Sequence, residues 1–554
     1  MTPEPLSAGA VPPVPRSPRP LWKRILILLL KVLGGGLAVL LVLGGVVWWM
    51  QSTGRLIPMI LRIQASRSGE GGDPLERNWP DAGAATRTRI GLRRDAGTVA
   101  GPSEFLEATR VWEVRMTFTA DQWKAMQPKS VPAKAAFDAP DGKFALMNTN
   151  ASRNGLLGAI GLDLDWTRGE VEVGGVSVPD AAVRFKGNGT FLGALSGVKR
   201  PLKVDLGKSS AKAVAGVSVL NLGNLSSDYS CVSDALAYEF FREAGVPSPR
   251  TAFAHVTVTA GGRWTNRPYG LYVVVENVDA RFLAERPLMG RCALFKPVTY
   301  ELFRDLGPDW QAYQRIYDGK VGLDDAAKAR VIETARFVTS ADDATFAAKA
   351  GDFFDLDEVA RFVAVNALLS SFDGFLNNGQ NFHMYLNKDS GRFGFIPWDL
   401  DRAWGEFPFI GSLEEKERAS ITRPWVADHR LMERLFAMET FRNLYRTRLE
   451  EIFRRQWDVE RLSRRMDALV PVVRSALVDE SDLRIRKFEE AVTADWRKDA
   501  PPAGPPDMSP TRPAHQLRRF FAKRRESVEA QLAGKEKGVE FLTRLMPGSP
   551  PEKK

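Results

Sequence analysis

Cysteine is nearly absent: Cys231 and Cys292 are the only two in 554 residues. A disulfide-stapled scaffold and any multi-cysteine zinc or iron–sulfur centre are therefore excluded. Histidine is almost as scarce. His255, His383, His429 and His515 are too few for a histidine-rich metal centre. No internal repeat or heptad series is visible, so solenoids and coiled coils fall away. What remains is ordinary for a folded chain, with 44% hydrophobic and 26% charged residues. Disorder throughout is excluded, and the length suggests several domains. The net charge of +10 and the pI near 9.5 permit attraction to nucleotides, phosphorylated groups, nucleic acid or acidic lipid.

One long hydrophobic run stands near the start. Residues 1–24 are rich in Pro and Arg, with Glu4 the only acid, and read as a disordered tail. Ile25 to Met50 is almost wholly apolar, interrupted only by Lys31. The stretch Val32–Met50 is long enough to span a bilayer. Trp48 and Trp49 stand where an interfacial aromatic belt would lie. A cleaved signal peptide would have a shorter apolar region and a small-residue cleavage site, whereas this run ends in Trp-Trp-Met-Gln. The reading is a single-pass signal anchor in the cytoplasmic membrane. Arg16, Arg19, Lys23 and Arg24 before the span bias the tail to the cytoplasm and the rest of the chain outside it. Residues 51–103 have no periodicity and read as a linker.

Beyond that point strands come first and helices later, an α+β pattern of two lobes. Trp112–Thr119 alternates like a strand, and Ala120–Gln127 begins a short helix with Asp121 near its cap. Gly169–Val178 reads as a hairpin turning at Gly-Gly. Ala182–Lys186 and Leu202–Leu206 are short strands; Val232–Ala244 is a helix stopped by Gly245. His255–Thr259 and Leu271–Glu276 belong to a meander. After Leu323 helices dominate, broken only at His383–Leu386 and Phe393–Pro397, and Gln516–Leu532 is the last helix.

Three constellations carry chemistry. Arg184-Phe-Lys-Gly-Asn-Gly-Thr190 is a strand running into a small-residue turn, where backbone N–H groups can approach a phosphate and Lys186 adds charge. It is neither a P-loop nor a dinucleotide fingerprint, and Gly-Asn-Gly is also a common hairpin turn. Lys203 stands in the next strand, where a phosphate lysine or a solvent-facing lysine would stand. The third constellation runs Ser370-Ser-Phe-Asp373-Gly-Phe-Leu-Asn-Asn378-Gly-Gln-Asn381, then Phe395-Ile-Pro-Trp-Asp399-Leu-Asp401. An Asp after a helix, an Asn-rich loop and a second acidic pair are the parts phosphoryl transfer needs: a proton acceptor and hard oxygen ligands for Mg²⁺. A capped turn would explain the Asn and Gly residues. It would not explain two carboxylates in an apolar run, which at i, i+2 spacing would share one face of a strand. The basic run Arg518–Arg525 reads as a packed helix face, because Phe520 and Phe521 interrupt it and Glu526 follows, so no nucleic acid partner is expected.

These blocks, in order, resemble the spore coat protein H (CotH) kinase family of atypical kinases. The resemblance runs from about Val111 to Gly534. It rests on Val183–Thr190; on Leu220-Asn-Leu with Asp234–Arg250; on Gly270–Asp279; and on Asn381–Leu386 with Ile396–Gly405. Arg524–Leu532 fits the family's closing helix. Gly189 stands where the family's turn often has Ser. The resemblance implies a divergent two-lobed kinase-like fold, with a β-rich small lobe over 104–290, a mostly helical large lobe over 291–534 and a tail over 535–554. It implies an ATP- and Mg²⁺-dependent protein kinase acting on an unidentified protein acceptor. Asp373 would be the catalytic Asp. Asp399 would bind metal, with Asp401, Asn381 and Asn378 as further candidates. Lys203 would hold phosphate, with Glu239 as its possible ion-pair partner. Lys186, Gly187, Asn188, Gly189 and Thr190 would cover the phosphates, and Glu276 would stand near the adenine. The alternative is a pseudokinase or envelope scaffold that binds nucleotide or a polymer and transfers nothing.

Overall fold

The computed structural model describes residues 92–131, 155–159, 161–194, 198–209, 213–286, 289–496 and 513–543. The N-terminal tail, the apolar run 25–50 and residues 51–91 of the linker lie outside the described residues. Among the described residues no helix is long and apolar enough to cross a membrane.

The described residues form fourteen strands: β1 Leu92–Arg93, β2 Val111–Phe118, β3 Lys129–Ser130, β4 Leu162–Asp163, β5 Thr167–Val173, β6 Val176–Phe185, β7 Leu202–Asp205, β8 Val219–Gly223, β9 Thr251–Ala260, β10 Trp264–Glu276, β11 Cys292–Phe295, β12 Gly319–Val321, β13 Phe382–Asn387 and β14 Arg392–Pro397. The large sheet has the order β1-β2-β5-β6-β7-β8-β10-β9, and β2 also pairs with β9. That parallel pairing runs from Val111 opposite Phe253 to Phe118 opposite Ala260 and closes the sheet into a barrel. The second sheet has the order β12-β11-β13-β14.

Alternation explains how one barrel serves two cores. Trp112, Val114, Met116 and Phe118 of β2 point inward with Ala252, Ala254, Val256 and Val258 of β9. On β10, Tyr272 and Val274 face the same interior. Leu271, Val273 and Val275 face outward into a second core built from the helices. The helix Ser233–Glu243 lies in that second core through Leu236, Tyr238, Phe240 and Phe241. Residues 479–484, far along the chain, return to the barrel. Glu480 pairs with Lys199 and accepts the N–H of Leu271 at 3.1 Å.

The hairpin β5–β6 turns at Gly174 and Gly175, with φ of +52° and +83°, the geometry a two-residue turn demands of glycine. Several expectations need correction. The linker does not run to 103, because β1 pairs with β2 at Leu92 and Val111. The helix Ala120–Met126 is capped by Thr119, which forms a reciprocal capping box with Gln122 that Asp121 does not enter. The strand at Ala182 is the end of the longer β6. The strands β11 and β12 were not expected at all. Arg518 and Arg519 of the closing helix are spent on Asp467 and on Glu414 and Glu417, while Phe520 and Phe521 are buried.

Candidate active site

The helix Leu356–Leu368 ends five residues before Asp373, not at it. Its last carbonyls are gathered by Arg524 of the closing helix. That guanidinium is fully buried and donates to the oxygens of Ala367 at 2.8 Å, Leu368 at 3.2 Å, Glu417 at 3.2 Å and Ala419 at 2.6 Å. Past the helix, Ser370 takes a left-handed φ of +45° and the chain turns.

Two asparagines then fix Asp373 from different sides. Asn378 Nδ2 donates to the Asp373 Oδ1 at 2.5 Å, and its own Oδ1 accepts the N–H of Gln380 at 3.4 Å. Asn381 Nδ2 donates to the Asp373 carbonyl at 2.7 Å. The amide of Asn378 is thus committed at both ends. The side-chain oxygen of Asn381 accepts no hydrogen bond among the described residues. Burial lifts the Asp373 carboxyl to about 7, against the pull of Arg402 and with a push from Asp399.

The second acidic pair does not lie on a strand. β14 ends at Pro397, and Asp399 follows in the left-handed region at φ +59°, so the two carboxylates are presented by a turn. The helix Ser233–Glu243 holds that turn by its backbone. Tyr238 Oη accepts the N–H of Asp399 at 2.9 Å, Asp234 Oδ1 accepts the N–H of Leu400 at 3.0 Å, and Trp404 Nε1 donates to the Ser233 carbonyl at 3.2 Å. Asp234 and Tyr238 are one helical turn apart and share a face. Asn381 is tied to the same turn, its carbonyl accepting the N–H of Trp398 at 3.2 Å. Burial, then Asp399, pushes the Asp234 carboxyl up to about 8. The same causes, with Asp234, hold Asp401 well above the usual carboxylate range.

Opposite the acids stands a basic wall. Arg184 of β6 is paired in register with Lys203 of β7, both on the outer face, since Phe185 and Leu202 point into the barrel. Lys203 Nζ donates to Asn277 Oδ1 at 3.2 Å. Burial, then Arg184 and Lys186, lowers its ammonium to about 8. Lys186 Nζ lies over the Trp398 ring, 5.5 Å from its centroid. Lys296, just past β11, lies over the same ring at 5.2 Å. Burial, then Lys186, lowers Lys296 to about 7. Burial also lowers Lys186, opposed by Asp399, Asp234 and Asp401.

The segment Gly187–Thr190 is not a hairpin turn. It leads into a short helix, Gly189–Gly193, and Asn188 Oδ1 accepts the N–H of Leu157 at 3.2 Å. Gly187, at φ +88°, makes the bend out of β6.

The structure brings together Asp373, Asn378, Asn381, Asp399, Asp401, Lys186 and Lys203. It leaves out two glutamates. Glu239 is bound by Arg465 at 2.8 Å and so is no partner for Lys203. Glu276 is enclosed by Arg250 and Arg286. Burial raises its carboxyl, but the two arginines outweigh this and hold it low, so its carboxylate is spent on structure rather than offered to a ligand. Sequence reasoning missed Asp234, Tyr238, Lys296 and Arg402. The signal for the first two was their i, i+4 spacing in a helix already singled out; for Lys296 there was none. Both cysteines are free.

The arrangement suits a multiply charged anion accompanied by a cation. Among the described residues no three Asp, Glu, His or Cys side chains form a ready-made metal set. The donors that do fit a hard cation are the Asp399 and Asp401 carboxylates and the free amide oxygen of Asn381. The mutual repulsion of Asp234, Asp399 and Asp401 is the kind of excess charge such an ion relieves.

The profile of the family described as CotH kinase protein matches residues 183–528. The inner spore coat protein H of Bacillus subtilis (strain 168) is 26% identical over 270 residues, covering 48% of this chain and 70% of that protein.

Proposed function

The chain belongs to the CotH kinase protein family, and on that premise we propose that it is a membrane-anchored kinase moving the terminal phosphoryl group of ATP to a protein hydroxyl. The observation that carries the reading is Asp373. Its carboxylate is held by Asn378, next to the acidic turn and across from the lysines. In this reading the barrel is the small lobe, the helical part is the large lobe, and the nucleotide lies between them.

The chemistry follows from these positions. The acceptor oxygen bonds to the γ-phosphorus as its proton leaves, and the bond from that phosphorus to the β–γ bridging oxygen breaks, releasing ADP. Asp373 receives the proton. With its carboxyl lifted to about 7, it is a far better base than an exposed aspartate. Asn378 aims one carboxylate oxygen and leaves the other for the acceptor. Lys186, Lys203 and the backbone of Gly187–Thr190 face the phosphates. Magnesium, when bound, offsets phosphate charge, and Asp399 with Asp401 and Asn381 would hold it. Asn378 is the weaker candidate, its amide being engaged at both ends. The run 25–50 anchors the chain in the cytoplasmic membrane with this site outside it, so the acceptor is an envelope protein.

Thermal unfolding of the full chain with and without Mg-ATP tests the reading. Ligand bound only by the native state raises the midpoint by mass action. A midpoint indifferent to Mg-ATP at millimolar concentration contradicts it.

A further inference from the structure

We infer that Lys186 and Lys296, which share the ring of Trp398, are the seat of a polyphosphate chain, and that Lys296 is a principal anion-binding residue of the site. The identification of that chain as the tail of a nucleotide rests on the function proposed above; the seat itself rests on geometry.

The two ammoniums lie 5.5 and 5.2 Å from the Trp398 centroid. Among the described residues neither side chain makes a hydrogen bond or an ion pair, and both are only partly exposed. The other cations nearby are occupied. Lys203 donates to Asn277, and Lys320 pairs with Asp318 at 2.5 Å. The charges that act most strongly on Lys296 are Lys186, Asp399, Lys203 and Lys320. Lys186 feels Asp399, Asp234 and Asp401 and is repelled by Arg184.

Two partly desolvated cations with neither a hydrogen bond nor an ion pair are unfavourable beside each other unless an anion joins them. Trp398 also sets the direction. It is pinned edge-on by His383 at 5.1 Å and 89°, and the next residue is Asp399. A chain of phosphates seated on the lysines therefore continues toward the acidic turn, where a cation would bridge it to the carboxylates. His383 is held neutral by burial and by Lys296, Lys320 and Lys203, so it leaves the charge of the seat to the lysines.

The test is equilibrium binding to the purified full-length chain, with Mg-ATP, sodium tripolyphosphate and adenosine as probes. Lys296→Met should weaken ATP and tripolyphosphate by about tenfold or more, while Lys296→Arg stays within about threefold of wild type, the range expected for a charge-assisted contact. Lys203→Met should cost less than Lys296→Met, and adenosine affinity should not follow Lys296. Wild-type protein gives a readout that needs no variant. Tripolyphosphate should slow acetylation of Lys186 and Lys296 by an amine-reactive ester more than that of Lys203, as read by mass spectrometry. Tripolyphosphate bound through Lys296 without any ATP binding supports the seat and overturns the nucleotide reading. ATP bound equally by Lys296→Met and wild type, or Lys296 unprotected, overturns the seat and leaves the nucleotide reading standing. Binding of neither anion by wild type overturns both.

Discussion

Tyr238 accepts the backbone N–H of Asp399 through its phenolic oxygen at 2.9 Å, across 161 residues of chain. With Asp234 on Leu400 one turn earlier in the helix, it makes the helix Ser233–Glu243 the template on which the acidic turn is shaped. Tyr238 is fully buried, so no water can replace it. The left-handed φ of Asp399 is unfavourable for a non-glycine residue, and these two hydrogen bonds are what hold it.

Removing that acceptor is costly. Tyr238→Phe leaves the Asp399 N–H without its partner and should destabilise the chain by about 1–3 kcal/mol. Denaturant unfolding measures the loss. Metal-dependent nucleotide binding should weaken as well, because the turn is freed; full binding in a destabilised protein would detach Tyr238 from the site.

Asp399→Ala should make nucleotide binding weaker and nearly independent of Mg²⁺, since a hard cation loses its best carboxylate. Titrations with and without chelator check this. Unchanged metal dependence would transfer the role to Asp401 or Asn381.

Glu358 supplies a pH-dependent prediction outside the site. Its carboxyl is buried against β14, where Oε1 accepts the N–H of Phe395 at 3.2 Å, and burial raises it well above its ordinary range. The folded chain keeps a proton that the unfolded chain would release. That contribution is complete below the unfolded carboxyl range and falls away as pH rises toward the folded value. Glu358→Gln should therefore gain thermal stability over wild type at pH 8, with the gap closing toward pH 4. A gap that widens on acidification contradicts the sign.

The topology expected from the apolar run is open to a reporter. A phosphatase or β-lactamase domain fused near Asp81 should be active only outside the cytoplasm. Activity confined to the cytoplasm would reverse the orientation and move the site to the side where ATP is made.

Much of the barrel was legible because its strands alternate. Trp112, Val114 and Met116 announce β2, and Gly174-Gly175 announces a hairpin whatever surrounds it. The closure of the barrel was not legible, because residues 111–118 meet residues 253–260 and no local pattern encodes that pairing. Asp373, Asn381 and Asp399 could be picked out as acids and amides in apolar or Gly-rich surroundings. Asp399 and Asp401 were placed on a strand because spacing says nothing of a positive φ. Glu239 could be named from the sequence and Asp234 could not. Both lie on one helix, and only the packed structure tells which side faces Leu400 and which faces Arg465. Lys296 carries no motif, and its role depends on a ring contributed a hundred residues later.

The most direct measurement is phosphate transfer by Asp373→Asn beside wild type, with γ-labelled ATP, Mg²⁺ and envelope protein as acceptor. Asparagine keeps the shape and the contact with Asn378 but cannot take the acceptor's proton. The expected result is label on protein with wild type, a loss of at least about a hundredfold in the variant, and Mg-ATP binding retained within a few fold. Equal transfer by the two proteins would contradict the assignment of Asp373 and with it the proposed mechanism.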